Sequence, residues 1–201
     1  MIPLNLIGIT AELSVFWCQS LLHAGIEVQQ ESFELLSHTM KDMAEGQQAA
    51  TYSRTMKDNS PSSTTIRRGD RSLCVHHLDL KRLAPPVASS HYTHNDIIAS
   101  GVAPSQFHLL TANPPYLDIK AGTMGKDSQR NSARFEVHGS ISDYCAAAKH
   151  LLRPDDGLFY VAHLTRCDDR VREACRLHGL TIAGRLHVVA GTYLTYCTYL
   201  T

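Results

Sequence analysis

Phe107-His108-Leu109-Leu110-Thr111-Ala112-Asn113-Pro114-Pro115-Tyr116 joins a short apolar run to an amide, two prolines and an aromatic ring. The run from Phe107 to Ala112 reads as a buried strand. The two prolines fix φ, remove two backbone donors, and push the residues before them out of the helical region. The result is a stiff loop at the C-terminal end of a strand, presenting an amide side chain, free carbonyls and a ring. The Asn113 side-chain oxygen and the Pro114 carbonyl can accept both hydrogens of an exocyclic NH2 group. Tyr116 can stack on the planar group that carries it. A plain turn, with Tyr116 as its apolar lid, uses the same residues. The surrounding order of elements bears on the choice.

Outward from that fourth strand, short apolar strands alternate with helical patterns, as in a parallel α/β sheet. Upstream, Ile2–Leu6 reads as a first strand, Glu12–His23 as a helix stopped by Gly25, and Ile26–Val28 as a second strand. Ser32–Ala44 is an amphipathic helix with Phe33, Leu36, Met40 and Met43 on one face and Gly46 as its stop. Residues 47–71 are rich in Ser, Thr, Gln and Arg and read as a disordered insertion. Leu73–Leu78 is a third strand, and Pro85–Ser105 a long loop. Downstream, Ser142–Leu152 is a helix ended by Arg153-Pro154-Asp155-Asp156-Gly157. Leu158–His163 is a fifth strand, and Asp168–His178 a helix closed by Gly179. Thr181–Val189 and Thr192–Leu200, joined by Ala190-Gly191, form a terminal hairpin. The expectation is one domain over 1–201 with a seven-stranded sheet, mostly parallel, and an antiparallel terminal strand. A nucleotide-type ligand in such a sheet lies beyond the strands' C-terminal ends, where Asn113 stands.

The chain's 201 residues and 43% hydrophobic content suffice for one cored domain. Nineteen basic and nineteen acidic residues cancel, which excludes the global basic field of many nucleic-acid binders and leaves only local contacts. Six cysteines form no C-x-x-C pair, and with no export signal they read as free thiols of a cytoplasmic or organellar compartment. No apolar run is long enough for a membrane span. Among twelve histidines, His76-His77 and His91-x-x-His94 come nearest to a metal pattern. Neither has the spacing of a zinc site, so no metal is expected.

Five segments together carry a resemblance. They are Leu4-Asn5-Leu6-Ile7-Gly8-Ile9-Thr10-Ala11-Glu12-Leu13; Gly25-Ile26-Glu27-Val28-Gln29; His77-Leu78-Asp79-Leu80; Asn113-Pro114-Pro115-Tyr116; and Ala133-Arg134-Phe135-Glu136 with Ser142–Phe159. In this order they resemble a Rossmann-like S-adenosylmethionine-dependent methyltransferase. More narrowly, they resemble the bacterial adenine-N6 methyltransferases that act on valine tRNA. The tetrapeptide matches fully and is the most specific of the five. The resemblance implies S-adenosyl-L-methionine as cofactor, held at Gly8, Glu27, Asp79 and Asn113. It implies Asn113, Pro114, Pro115 and Tyr116 as the catalytic loop, an RNA substrate (tRNA or rRNA), and room for a partner subunit. The chain departs from the family where Ile9 and Ala11 replace glycines and Asn5 replaces an acid. The family's segment ahead of its first strand is also absent from this sequence.

An adenine N6 is a poor nucleophile because its lone pair is delocalised into the ring. Accepting both its hydrogens at Asn113 and Pro114 draws the nitrogen toward tetrahedral geometry. Positioning then supplies much of the rate, up to roughly 7–11 kcal/mol in principle. Glu27 can equally be a surface carboxylate, and Asp79 a cap for the turn at Lys81-Arg82. Lys120, Lys126, Arg130 and Arg134 can track RNA phosphates or decorate a solvated loop. Two other functions use the same residues. Release-factor methyltransferases carry the same tetrapeptide for a glutamine amide. A non-catalytic homologue with a degenerate first loop would need no cofactor at all.

Overall fold

The computed structural model describes residues 4–7, 22–27, 30–46, 50–57, 60–69, 71–83, 102–188 and 193–200. Among them, nine strands form one sheet: β1 (Leu4–Ile7), β2 (Leu22–Glu27), β3 (Ala50–Lys57), β4 (Ser60–Arg68), β5 (Arg71–His77), β6 (Leu109–Ala112), β7 (Leu158–Leu164), β8 (Leu180–Val188) and β9 (Tyr193–Leu200). Their spatial order is β3-β4-β5-β2-β1-β6-β7-β9-β8. β5, β2, β1, β6 and β7 run parallel, and β9 is inserted antiparallel between β7 and β8.

The sheet therefore exceeds the expected seven strands by one hairpin, β3–β4. That hairpin lies within the segment 47–71, whose polarity reads as a disordered insertion. It anneals antiparallel to β5, with Ile66 opposite Leu73 and Thr64 opposite Val75. Its inward residues are Thr64 and Ile66, both fully buried. Helix α1 (Gln30–Glu45) covers them with Phe33, Leu36, Met40 and Ala44. The Ser37 and Thr64 hydroxyls meet at 2.7 Å inside that contact. Arg54 of β3 reaches back to Glu34 at 2.6 Å and lies over the Phe33 ring. Alternating Thr and Ile with a buried polar pair is enough to hold a strand pair against a helix.

β2 also differs from expectation. Leu22 and His23, placed at the end of a helix, belong to the strand, and Gly25 lies inside it rather than stopping anything. The body of that expected helix, 12–21, and the Ala190-Gly191 turn lie outside the described residues.

The other half of the core gathers on β6 and β7. Leu110, Phe159 and Val161 pack with α3 (Ile141–Leu151) and α4 (Asp168–Leu177), through Cys145, Ala147, Ala148, Leu151, Val171 and Cys175. Helix α3 starts at Ser140, whose backbone N–H and hydroxyl both donate to Asp143 Oδ2, at 2.7 and 2.8 Å. It ends in a turn whose Gly157 has no room for a side chain. An added Cβ would lie 2.5 Å from the Arg153 carbonyl. That turn feeds the chain into β7 beside β6. A short helix, α2 (Ser128–Arg134), lies between β6 and α3.

Candidate active site

All five parallel strands end at one edge of the sheet. Across it, His76, Ile26, Ile7, Ala112 and Val161 form one row of ladder partners. One residue further, Glu27 pairs with His77, and Asn113 follows Ala112. Glu27 and Asn113 are thus two strand spacings apart, about 10 Å. Asp79 stands two residues past the end of β5. Consecutive parallel strands depart to opposite sides of β1, so the edge between β1 and β6 is the topological switch point.

The sequence-predicted residues fare differently. Asn113, Pro114, Pro115 and Tyr116 lie together at the end of β6, the neighbour of the central strand β1. For Glu27 only the backbone position is described, and Gly8 lies outside the described residues. Asp79 is at the expected edge, yet its Oδ1 accepts the Lys81 N–H at 3.0 Å. It caps the turn Leu80–Arg82, the structural role its position also allowed.

Within the loop, Asn113 is exposed, Pro114 is buried and Tyr116 is half-buried. The Tyr116 hydroxyl donates to Asn113 Oδ1. A carbonyl oxygen has two lone pairs, so Asn113 can accept one more hydrogen at the same atom. The Tyr116 ring meets His163 edge-on, with centroids 5.0 Å apart at 70°. This is a favoured aromatic geometry, and it fixes the plane of Tyr116.

His163 was not a sequence candidate. It lies near the end of β7, fully buried, and neither ring nitrogen makes a well-formed hydrogen bond among the described residues. Burial, reinforced by the Arg170 charge, brings its pKa down to about 4. The ring is therefore neutral at pH 7. Its alternation with Phe159 and Val161 on the buried face of β7 was the available sign. Arg170 on α4 donates from Nη2 to both Glu136 oxygens, at 2.7 and 2.6 Å. Cys167, in the turn after β7, lies 4.0 Å from the Tyr116 carbonyl. Among the described residues no group of three or more His, Cys, Asp or Glu could hold a metal ion. No described helix is long and apolar enough to cross a membrane.

No protein-family model matches the chain. No curated protein matches it in sequence. Solved structures do match in fold. A predicted O-methyltransferase from Agrobacterium tumefaciens aligns with TM-score 0.54 at 13% identity, over 100% of this chain and 77% of its own. A SAM-dependent methyltransferase from Aquifex aeolicus aligns with TM-score 0.54 at 7% identity, over 100% and 82%. A ribosomal protein methylase from Lactobacillus delbrueckii subsp. bulgaricus aligns with TM-score 0.51 at 9% identity, over 100% and 70%. The chain has the α/β Rossmann-like fold of these enzymes.

Proposed function

We propose that this protein is an S-adenosyl-L-methionine-dependent N-methyltransferase that methylates N6 of an adenine in RNA, with tRNA the leading candidate. The observation that carries the reading is the position of Asn113 and Tyr116. A sequence able to hold an amino group and stack its ring stands at the end of β6, beside the switch point of a methyltransferase-type sheet. Glu27 and Asp79, two acids at the same edge, have the acceptor chemistry to take hydrogen bonds from ribose hydroxyls or an adenine amine of the cofactor. Gly8, at the first loop, would let backbone approach it. When bound, the cofactor supplies an electrophilic sulfonium methyl.

The chain's own residues prepare the nucleophile. Asn113 Oδ1, with one lone pair on Tyr116, accepts one N6 hydrogen, and the Pro114 carbonyl accepts the other. Both acceptors favour the pyramidal nitrogen and oppose the delocalised one. Tyr116, braced edge-on by His163, holds the plane of the base. A base in an RNA loop is already splayed and needs no extrusion. The site acts in a reducing, cytoplasmic compartment, alone or with a partner subunit.

Ile9 and Ala11 in the first loop favour a second reading, a non-catalytic homologue, because β-branched and methyl side chains stand where bare backbone serves a cofactor. The test is tritiated-methyl transfer to total RNA and to a peptide with the glutamine of a release factor. Asn113→Ala should lower the rate about 10²–10³-fold, by analogy with loss of one oxyanion-hole donor, while cofactor binding persists. Tyr116→Phe should be mild, since it keeps the ring and frees an Asn113 lone pair. Label in N6-methyladenosine that vanishes with Asn113→Ala supports adenine. Label in the peptide alone moves the assignment to glutamine. A folded wild type that labels neither substrate and binds no cofactor by calorimetry is the non-catalytic homologue.

A further inference from the structure

The segment after the catalytic loop leaves the site and returns to it. Leu117 N–H donates to the Arg134 carbonyl at 3.0 Å, and Glu136 N–H donates to the Leu117 carbonyl at 2.9 Å. This parallel bridge between Leu117 and Phe135 closes a neck one residue past Tyr116. Phe135 is buried beneath the neck, and the Glu136–Arg170 pair ties it to α4.

The excursion is built, not loose. Asp118 caps the turn Ile119–Ala121 through the Lys120 N–H at 2.8 Å. Asp127 caps α2 through the Arg130 N–H at 3.0 Å. Asn131 clasps Gly125 twice, accepting from its N–H at 2.9 Å and donating to its carbonyl at 2.7 Å.

On this scaffold stand Lys120, Lys126, Arg130 and Arg134, all exposed. None has an ion-pair or side-chain partner among the described residues. Elsewhere Arg54, Arg153, Arg170, Arg172, Arg176 and Arg185 are each paired with a carboxylate, and the cations without an ion pair among the described residues, Arg67, Lys81, Lys149 and Arg166, are scattered over separate elements. The two acids of the flap, Asp118 and Asp127, are turned to backbone amides. In a chain of zero net charge, four exposed cations against these two carboxylates leave the ordered flap with a local excess of positive charge, an anion surface. Lys120 is at most about 14 Å of chain from Tyr116.

We propose that the flap between Leu117 and Phe135 is a phosphate clamp that seats the backbone of a looped or single-stranded RNA while Asn113 receives its base. This rests on the RNA reading above. A polyanion gripped beside the catalytic loop, rather than over the whole surface, is what a neutral protein needs to hold RNA. Each cation seated on a phosphate of single-stranded RNA releases counterion, about 0.7 in the salt slope.

The experiment is fluorescence anisotropy with a labelled stem-loop RNA carrying adenines in its loop, titrated at about 50 to 200 mM salt. Lys120→Ala, Lys126→Ala, Arg130→Ala and Arg134→Ala are combined in one variant. A control removes the same charge elsewhere, through Lys41→Ala, Arg67→Ala, Lys149→Ala and Arg176→Ala. The flap variant should lose about 3 from the slope, so that its salt sensitivity over that range falls roughly fifty-fold relative to wild type. The control should keep the wild-type slope. Lys126→Glu alone, a single exposed change, should weaken binding in the same direction. The clamp is overturned if wild type binds no RNA, if flap variant and wild type share one slope, or if the control falls as far. Methyl transfer to RNA that persists with an unchanged slope in the flap variant overturns the clamp alone. Transfer to the glutamine peptide alone, with no RNA binding, overturns the substrate reading as well.

Discussion

His163 and His76 are buried rings whose pKa values lie at about 4, below the ordinary 6.5, with burial as the main cause. The native state refuses a proton that the unfolded chain accepts near 6.5. Both rings therefore leave stability intact above about pH 6.5 and withdraw it as pH falls toward 4. A shift of that size corresponds to on the order of 3 kcal/mol for each ring at most. Urea unfolding at about pH 7 and about pH 4.5 should show a large loss for wild type. His76→Gln with His163→Gln should flatten that loss. An equal loss in the double variant would show that carboxylates alone govern the acid limb. At this scale the sequence placed Asn113 and Tyr116 just beyond an apolar strand, because two prolines stop the run there. It did not carry the bond between them, nor the ring under Tyr116. His163 announces itself only by alternation on β7, a sign shared with any core residue.

The hairpin β3–β4 is the element whose sequence misleads. Ser60 to Arg68 offers one inward hydrophobic side chain, Ile66, among hydroxyls and arginines. Amphipathic counting finds almost no stripe there, and the polar composition resembles a linker. What orders it is non-local: the ladder with β5, the α1 face, and the Ser37–Thr64 and Arg54–Glu34 contacts. Ile66→Ala should therefore cost about 2–5 kcal/mol in denaturant unfolding. A cost near zero would return the segment to the disordered insertion that its composition suggests. The three longer helices were more legible, because their signals are local. α3 has Ser140 and Asp143 at its start, α1 has Gly46 beyond its end, and α4 has Gly179. The strand boundaries of β2 were not, since Gly25 reads as a stop only when the ladder around it is unknown.

In the whole molecule, the candidate cofactor acids and the candidate catalytic loop stand on different halves of the sheet. Glu27 and Asp79 belong to the β2–β5 side, with α1 and its own core cluster. Asn113, Tyr116 and His163 belong to the β6–β7 side, with α3 and α4. Leu78, Leu80 and Leu83 pack across into the second cluster and hold the halves in register. The alternation of strands and helices made the parallel centre legible. It could not show that β9 lies between β7 and β8, nor that a hairpin extends the far edge. Those depend on pairing partners, and nothing local encodes them.

The ladder between β1 and β6 joins Leu4 to Leu109 and Ile7 to Ala112. During synthesis this turns sequence distance into waiting time. At about 5–20 residues per second, β1 stands without its β6 neighbour for roughly 5–20 s. Over that interval β2 is the only one of its two ladder partners yet made. The strand at the centre of the finished sheet is thus one of the last to be enclosed. Pulsed proteolysis of ribosome-bound chains of increasing length should show α1 and β3–β5 protected before β1, with protection of β1 rising only after β6 has emerged. Protection of β1 in chains that end before Leu109 would show that the N-terminal half closes by itself.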